Sequence, residues 1–435
     1  MANLSIINKS VLELKPYKNN SRTHSDKQIQ QIANSIKEFG FNCPIVIDAN
    51  AQIVAGHGRV EAAKRLGIQE VPTICVSHLN DDQIRAFVIA DNKMAQNAGW
   101  DKGLLKLELQ HLTDIEVNFD VEITGFSTPE IDVIIGNPVL VQQPQENAIP
   151  AMDGTNTITQ LGDIWEFGRH RLSCGNSLEP TTFETLLEGK KAHMVFTDPP
   201  YNVPIDGHVG GLGKTKHREF AMATGEMTEA EFISFLSSSF QYQKKHSVDG
   251  SLHYICMDWR HVHEMMIASK AIYTEMKNLC VWAKDNGGMG SLYRSRHELI
   301  FVFKNGKGRH LNNVELGKHG RYRTNVWEYA GVNTARKGRM AELSMHPTVK
   351  PVAMIADAIK DCTKHGEAVL DPFAGSGSTL IATEKTGRCG YAIEIDPHYC
   401  DVIVRRWQAY TGKDAIHFAT GETFNSKAKK GGGNE

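Results

Sequence analysis

The sequence has no C-x-x-C pair; its eight cysteines, Cys43, Cys75, Cys174, Cys256, Cys280, Cys362, Cys389 and Cys400, are scattered along the chain. Neither a disulfide framework nor a zinc site is spelled out, and reduced, mostly buried thiols are expected. No apolar run approaches the ~18 to 20 residues of a membrane span, and the start, MANLSIINKSVLELKPYK, lacks a basic segment followed by a continuous apolar one. The expectation is a soluble, cytoplasmic chain with no membrane partner. Internal repeats are absent, and net charge is only −2 over 435 residues. What remains is ordinary globular composition, 41% hydrophobic and 23% charged, in a chain long enough for two or three domains.

The small net charge hides an uneven distribution. Residues 1–150 carry 13 Lys and Arg against 18 Asp and Glu, net −5, whereas residues 284–350 carry 13 against 5, net +8. A basic stretch in a near-neutral protein points to a local polyanion contact, the alternative being an ordinary solvated face. Residues 137–160, NPVLVQQPQENAIPAMDGTNTITQ, have almost no charge and no apolar period, and read as a linker. SKAKKGGGNE, residues 426–435, has the Gly and Lys composition of a disordered tail. The expected organisation is an N-terminal domain over 1–136, the linker, a larger domain over 161–425, and the tail.

In the N-terminal part, Asp26–Phe39 places Ile29, Ile32, Ala33 and Ile36 at helical spacing, and 44–47 and 53–55 read as strands joined by a turn. Gly56-His57-Gly58-Arg59 then opens a helix over Val60–Leu66, closed by Gly67, and Val71–Val76 reads as a further strand. Through IVAGHGRVEAAKRLG (53–67) and VPTI (71–74), residues of about 10 to 95 resemble the ParB/sulfiredoxin-like superfamily. The resemblance implies a small α+β domain whose turn, Gly56, His57, Gly58 and Arg59, binds nucleotide phosphates. Free N–H groups at a helix start beside an arginine suit an anion, although a turn that binds nothing is the alternative. Sulfiredoxins carry a catalytic cysteine in this turn; here His57 stands there, so their repair chemistry is not implied. No carboxylate or histidine cluster in this part clearly builds a nuclease metal site.

After the linker, the apolar strand Ala192–Phe196 leads into Thr197-Asp198-Pro199-Pro200-Tyr201-Asn202. An acid, two stiff prolines and an aromatic at a strand's carboxyl end sit where open α/β sheets bind ligands. The exocyclic amine of a nucleobase is a poor nucleophile because its lone pair is delocalised into the ring. A carboxylate and a backbone carbonyl accepting its two N–H groups favour a pyramidal amine with a localised lone pair, while the tyrosine ring stacks on the base. Asp198, with an ordinary pKa of ~3.9, is expected to be ionised at neutral pH.

The second constellation begins 170 residues beyond Tyr201. Ala368-Val369-Leu370 runs into Asp371-Pro372-Phe373-Ala374-Gly375-Ser376-Gly377-Ser378-Thr379, then a helix from Leu380 to Glu384, then the strand Gly390–Ile395 with Glu394 near its end. This is a nucleoside-binding βαβ pattern, in which Gly375 and Gly377 let a ligand approach the backbone and Glu394 can hold ribose hydroxyls. The spacing is not G-x-G-x-x-G, and no Walker Gly-Lys-Ser/Thr occurs, which disfavours dehydrogenase and ATPase readings.

Taken together, DPPY, DPFAGSGST and the HPTVKP at 346–351 resemble the S-adenosylmethionine-dependent amino-methyltransferases of DNA, in the motif order of the β group. The resemblance covers about 160–415 and implies a Rossmann-like methyltransferase domain, mixed but mostly parallel, acting on double-stranded DNA. It implies catalytic roles for Asp198, Pro199, Pro200 and Tyr201. For the cofactor it implies Asp371, Phe373, Ala374, Gly375, Gly377 and Glu394, together with His346, Thr348 and Lys350. Asn176 falls where many relatives have Asp beside the cofactor adenine; its amide oxygen can still accept one hydrogen bond.

Asp in the first motif position generally accompanies N6-adenine transfer in that family, whereas Ser is typical of N4-cytosine enzymes. The expectation is therefore an adenine-specific enzyme acting on a flipped base; the alternatives are N4-cytosine transfer or a nucleotide-switched DNA-binding protein whose methyltransferase half is vestigial. The basic stretch, about 284–345, is the place for target recognition, with Arg294, Arg296, Arg321, Arg323, Arg336 and Arg339 as candidates for phosphate or guanine contacts. Methyl transfer from a sulfonium needs no metal, and His253, His261, His263 and His297 form no ligand set, so no metal is expected. A homodimer and a restriction partner stay open.

Overall fold

The computed structural model describes residues 4–114, 119–136, 146–150, 157–203, 225–285, 287, 292–318, 321–330 and 349–431. The chain divides into two units, Met1–Asn137 and Pro138–Glu435.

The first unit contains β1 (Ile6–Ser10), α1 (Asp26–Phe39), β2 (Ile45–Ile47), β3 (Ile53–Ala55), α2 (His57–Arg65), β4 (Glu70–Cys75), α3 (Asp81–Asn97), α4 (Lys102–Asp114) and α5 (Thr128–Ile135). Its sheet has the order β1-β4-β2-β3, with β4 and β2 parallel and both edge strands antiparallel to their neighbours. Helix α1 starts where the Ser25 hydroxyl accepts from the Gln28 amide and stops at Gly40, whose φ is 83°. Its buried Ile29 and Ala33 lie one turn apart, and Ala33 packs with Ala62 of α2. The hairpin and the strand after it close on Ile45, Ile47, Ile53, Val60 and Val71. Helix α2 begins three residues earlier than its apolar pattern announces, because Gly56, with φ 103°, turns the chain directly into it.

The second unit is built on one ten-stranded sheet. In chain order its elements are β5 (Ile164–Phe167), β6 (His170–Cys174), α6 (Pro180–Leu187), β7 (Ala192–Thr197), α7 (Glu229–Lys245), β8 (Ser247–Met257), α8 (Val262–Lys270), β9 (Glu275–Ala283), β10 (His297–Lys304), β11 (Val326–Glu328), α9 (Val352–Cys362), β12 (Ala368–Asp371), α10 (Ser378–Thr386), β13 (Cys389–Glu394), α11 (Pro397–Thr411), β14 (Ile416–His417) and α12 (Phe424–Gly431). The strand order is β11-β9-β10-β8-β7-β12-β13-β6-β5-β14. The five central strands, β8 to β6, are parallel, and β10 and β5 flank them antiparallel. This is the mixed α/β architecture expected from the motifs.

Side-chain alternation explains the layering. Met194 and Phe196 of β7 join the core shared with α9 and α11, while Val195 between them joins the core under α6. On α7, a capping box between Thr228 and Glu231 starts the helix, and Phe232, Phe235, Leu236 and Phe240 recur at helical spacing on its buried face.

Two boundary expectations are corrected. The described parts of 137–160 are fastened to the second unit: the buried Asp401 carboxylate accepts from the Ile158 and Thr159 amides at 2.8 and 3.0 Å, and the Glu146 carbonyl accepts from Arg406 at 2.9 Å. The tail is helical through Gly431, because Phe424 is fully buried against Trp165, and Lys427 lies over the same indole at 5.4 Å. Composition alone hid that anchor. Among the described residues, no helix is long and apolar enough to cross a membrane.

Candidate active site

All five central strands end on the same side of the sheet, and the predicted motifs meet there. The chain lays down β6, skips two places to β7, builds outward through β8, β10, β9 and β11, and returns to fill the gap with β12 and β13. That return brings Asp371 and Glu394, the last residues of β12 and β13, beside Asp198, the first residue after β7. A cleft at these ends is lined by Asp198, Tyr201, Lys350, Asp371, Phe373 and Glu394, among others. Pro199, Pro200, Ala374 and Gly375 line it too.

In the loop after β7, the Tyr201 hydroxyl donates to Asp198 Oδ1 at 2.5 Å, and the Lys350 ammonium donates to Asp198 Oδ2. Burial pushes the Asp198 carboxyl up, with Lys350 working against that push. Burial and the carboxylates of Asp198 and Glu298 raise the Tyr201 phenol far above its ordinary range, so it stays a donor. Asn202, at φ 53°, clasps the returning chain: its amide oxygen accepts from Gly225 and Met227, and its amide nitrogen donates to the Met227 carbonyl.

The cofactor-type turn is held from within. Asp371 accepts from Thr379 Oγ1 at 2.6 Å, Thr197 Oγ1 at 3.0 Å and the Phe373 amide at 3.1 Å. Burial nevertheless pushes its carboxyl up to about 6. The Thr197 bond ties the end of β7 directly to that of β12. Glu394 accepts from the Gly375 amide at 2.8 Å and the Asp396 amide at 2.9 Å, and burial pushes it up to about 7. Phe373 packs against Phe235, with ring centres 5.9 Å apart.

Several expected residues behave differently from their motif roles. Gly377, in the left-handed region at φ 80°, begins α10, but a Cβ there would lie 3.0 Å from Ile403, so its want of a side chain serves the packing of α10 on α11. Asn176 spends its amide locally, accepting from the Leu178 amide and donating to Glu179, while its neighbours Gly175 and Ser177 line the cleft. Lys350, expected with the cofactor, sets its ammonium between Asp198 and Glu298.

Arg321 and Arg323, expected to reach DNA, are instead taken up by Asp361 at 2.7 and 3.1 Å, and Arg323 also donates to the Tyr329 hydroxyl and stacks on Trp327. They fasten the segment before β11 onto α9. Arg294 and Arg296 are exposed. His346, Thr348, Arg336 and Arg339 lie outside the described residues.

Sequence reasoning missed Glu298. This residue near the start of β10 accepts from Lys350 at 3.0 Å and from Lys284. Burial would raise its carboxyl, but those two ammonium groups bring it down to about 2. The only signal in the sequence is an acid beginning the apolar strand HELIFVFK, which is no motif.

In the first unit, Gly56, Gly58 and Arg59 line a cavity of about 700 Å³ with His24 and Asn92. His57 lines it too, but its Nε2 accepts from the Tyr17 amide, and burial and nearby His24 lower its pKa, so it is neutral. The Arg59 guanidinium folds over Gly56, and its buried Nε has no hydrogen-bond partner among the described residues. Among the described residues, no group of three His, Cys, Asp or Glu could hold a metal ion.

Comparison with known proteins matches this layout. A family model described as DNA methylase matches residues 192–405, one described as ParB N-terminal domain matches 2–93, and one described as ParB-methyltransferase HTH domain matches 103–161. The chain is 48% identical over 80 residues to the ParB-like nuclease domain-containing protein YnaK of Escherichia coli (strain K12), covering 18% of this chain and 92% of that protein. It is 26% identical over 263 residues to the Type II methyltransferase M.HpaI of Haemophilus parainfluenzae, covering 57% of this chain and 77% of that one. Identity to the DNA adenine methyltransferase YhdJ of Escherichia coli (strain K12) is 26% over 298 residues, covering 58% and 92%. Residues 192–405 thus belong with the DNA methylases of the N6/N4 type, and residues 2–93 form a ParB N-terminal domain ahead of them in the sequence.

Proposed function

We propose that this protein transfers a methyl group from S-adenosylmethionine to N6 of an adenine flipped out of double-stranded DNA. The observation that carries the reading is the acidic cleft: Asp198, Asp371, Glu394 and Asp396 line it, with Lys350 already engaged by two carboxylates. Such a set repels a polyphosphate and suits a cationic sulfonium attached to a ribose. Glu394, raised to about 7 with only two amide donors, is short of hydrogen bonds that ribose hydroxyls supply. Phe373 and Tyr399 give the cleft aromatic walls for an adenine ring. S-adenosylmethionine, bound there, supplies an electrophilic methyl on a leaving group that departs neutral.

The chain's own residues act on the other reactant. Asp198 and the Pro199 carbonyl accept the N–H groups of the target amine, localising its lone pair, and the two prolines fix the loop. Tyr201, its hydroxyl tied to Asp198, offers its ring for stacking. Asp rather than Ser at 198 favours adenine, as does the likeness to YhdJ. Flipping the base costs a few kcal/mol, recovered in stacking and amine contacts. The test is transfer from labelled S-adenosylmethionine to unmethylated genomic DNA with nucleoside mass spectrometry. N6-methyladenine is expected; N4-methylcytosine would overturn the target, and no labelled nucleoside would overturn the reaction.

A second reading concerns the first unit, where the unpartnered Nε of Arg59 beside the start of α2 favours a nucleotide phosphate. Calorimetry with nucleoside triphosphates is expected to show binding that Arg59→Ala removes; absence of heat with all of them would refute it.

A further inference from the structure

One ammonium at the catalytic loop serves two acids. Lys350, 5% exposed, reaches Asp198 Oδ2 and Glu298 Oε2, and the Tyr201 hydroxyl lies 3.4 Å from the same Glu298 oxygen. Lys284 holds the other Glu298 oxygen. Asp198 and Glu298 come from strands that are not neighbours, since β8 stands between β7 and β10. We propose that Glu298 is a positioning residue for methyl transfer: it keeps Lys350 from closing a one-to-one pair with Asp198, so that the Asp198 carboxylate stays available to the target amine. This rests on the reading of Asp198 as the amine's acceptor.

An ammonium and a single carboxylate in a buried site form a tight neutral pair, because their attraction grows as water is excluded. Such a pair would leave Asp198 a poorer acceptor just where the amine must bind. A second carboxylate, itself kept ionised, divides the ammonium's three donors and loosens its hold. Charge flow points the same way. As the nitrogen–carbon bond forms and the carbon–sulfur bond breaks, its electron pair goes to sulfur, and positive charge passes to the amine nitrogen until a proton leaves for water. With Asp198 ionised, Asp198 and Glu298 balance Lys350 and Lys284, so the site adds no positive charge of its own to the developing one. Glutamine at 298 would leave the set at +1 and give Lys350 to Asp198.

The test compares Glu298→Gln with Glu298→Asp on unmethylated DNA, reading the methylated base that the wild-type protein makes. Glu298→Gln is expected to lower kcat about 100-fold while the KM for DNA and the cofactor affinity stay within about threefold. Glu298→Asp keeps a second carboxylate for Lys350, and is expected to be at least tenfold more active than Glu298→Gln. A merely structural role predicts that stability and cofactor affinity fall together with kcat, so a Glu298→Asp no better than Glu298→Gln, or a Glu298→Gln with wild-type kcat, overturns the proposal. Should Glu298→Gln fail to fold, Glu298→Asp is expected to keep kcat within about tenfold, and complete loss there overturns it. An N4-methylcytosine product would sink the adenine reading and leave this comparison intact, whereas full activity in Asp198→Ala would sink the acceptor role on which both rest.

Discussion

Replacing Glu394 by Gln tests the cofactor role proposed for this carboxylate apart from its effect on the fold. Without ligand its pKa is about 7 rather than the ordinary 4.5, since burial outweighs its two amide bonds. At 1.36 kcal/mol per unit, the ionised form is disfavoured by about 3 kcal/mol. Ribose hydroxyls donating to it reward ionisation, so cofactor binding should release a proton, and affinity should rise with pH through 7. Between pH 8.5 and 6 the ionised fraction falls about tenfold, and the dissociation constant should rise by about the same factor.

The stability sign runs the other way. A raised pKa means that the folded state holds the proton more tightly, a contribution full below 4.5 and lost as pH rises through 7. Glu394→Gln should therefore be more stable than wild type at pH 8.5, by about 2 kcal/mol once one lost amide bond of about 1 kcal/mol is deducted. Calorimetry in buffers of different ionisation heat, with thermal melts beside it, reads both effects. A pH-independent affinity without proton release, or an unchanged slope in the variant, would refute the reasoning.

Asp198→Ala should abolish transfer by at least about 10³-fold while cofactor affinity by calorimetry stays near wild type; equal loss of both would contradict its role as amine acceptor. Glu384 accepts from His170 Nε2 at 2.7 Å, and against the upward push of burial that bond and Trp407 bring it down to about 2. A lowered pKa contributes stability above 4.5 that is lost as pH falls toward 2, so Glu384→Gln should cost at most about 3 kcal/mol at pH 7 and nothing near pH 2, read by denaturant unfolding. Gly377→Ala should destabilise by about 1–3 kcal/mol through left-handed strain and the approach to Ile403, and wild-type unfolding there would contradict the packing role.

Both principal motifs were legible because each is a continuous run at the carboxyl end of a strand, where local sequence and ligand site coincide. Glu298 was not legible, since its value comes from standing two strands away from Asp198, a relation set by pairing order that no local pattern carries. Lys350 illustrates the middle case: the HPTVKP run marks it as functional, but its partners emerge only when β7 and β10 are placed. In the tail from Ser426, the Gly and Lys excess gave no sign of the helix that starts at Phe424, just before it, whose ring meets Trp165 at 5.1 Å between centres. Arg321 and Arg323 looked like a basic surface because counting charge along a chain cannot see Asp361 arriving from α9.

The same topology explains why distance in sequence matters so little to this site. Parallel central strands deliver every loop after β6, β7, β12 and β13 to one edge, so a motif needs only a place in the strand order. Adjacent placement then has to be made exact enough for chemistry, and the Thr197–Asp371 bond does this between β7 and β12. Asp371 spends its carboxylate on the chain itself, on Thr197, Thr379 and Phe373, and thereby fixes the turn whose Gly375 amide meets Glu394. Of the two acids in the Gly-rich constellation, Asp371 is thus the one that holds β7 and the Gly-rich turn in register, and Glu394 the one that faces the cleft with only amide donors among the described residues.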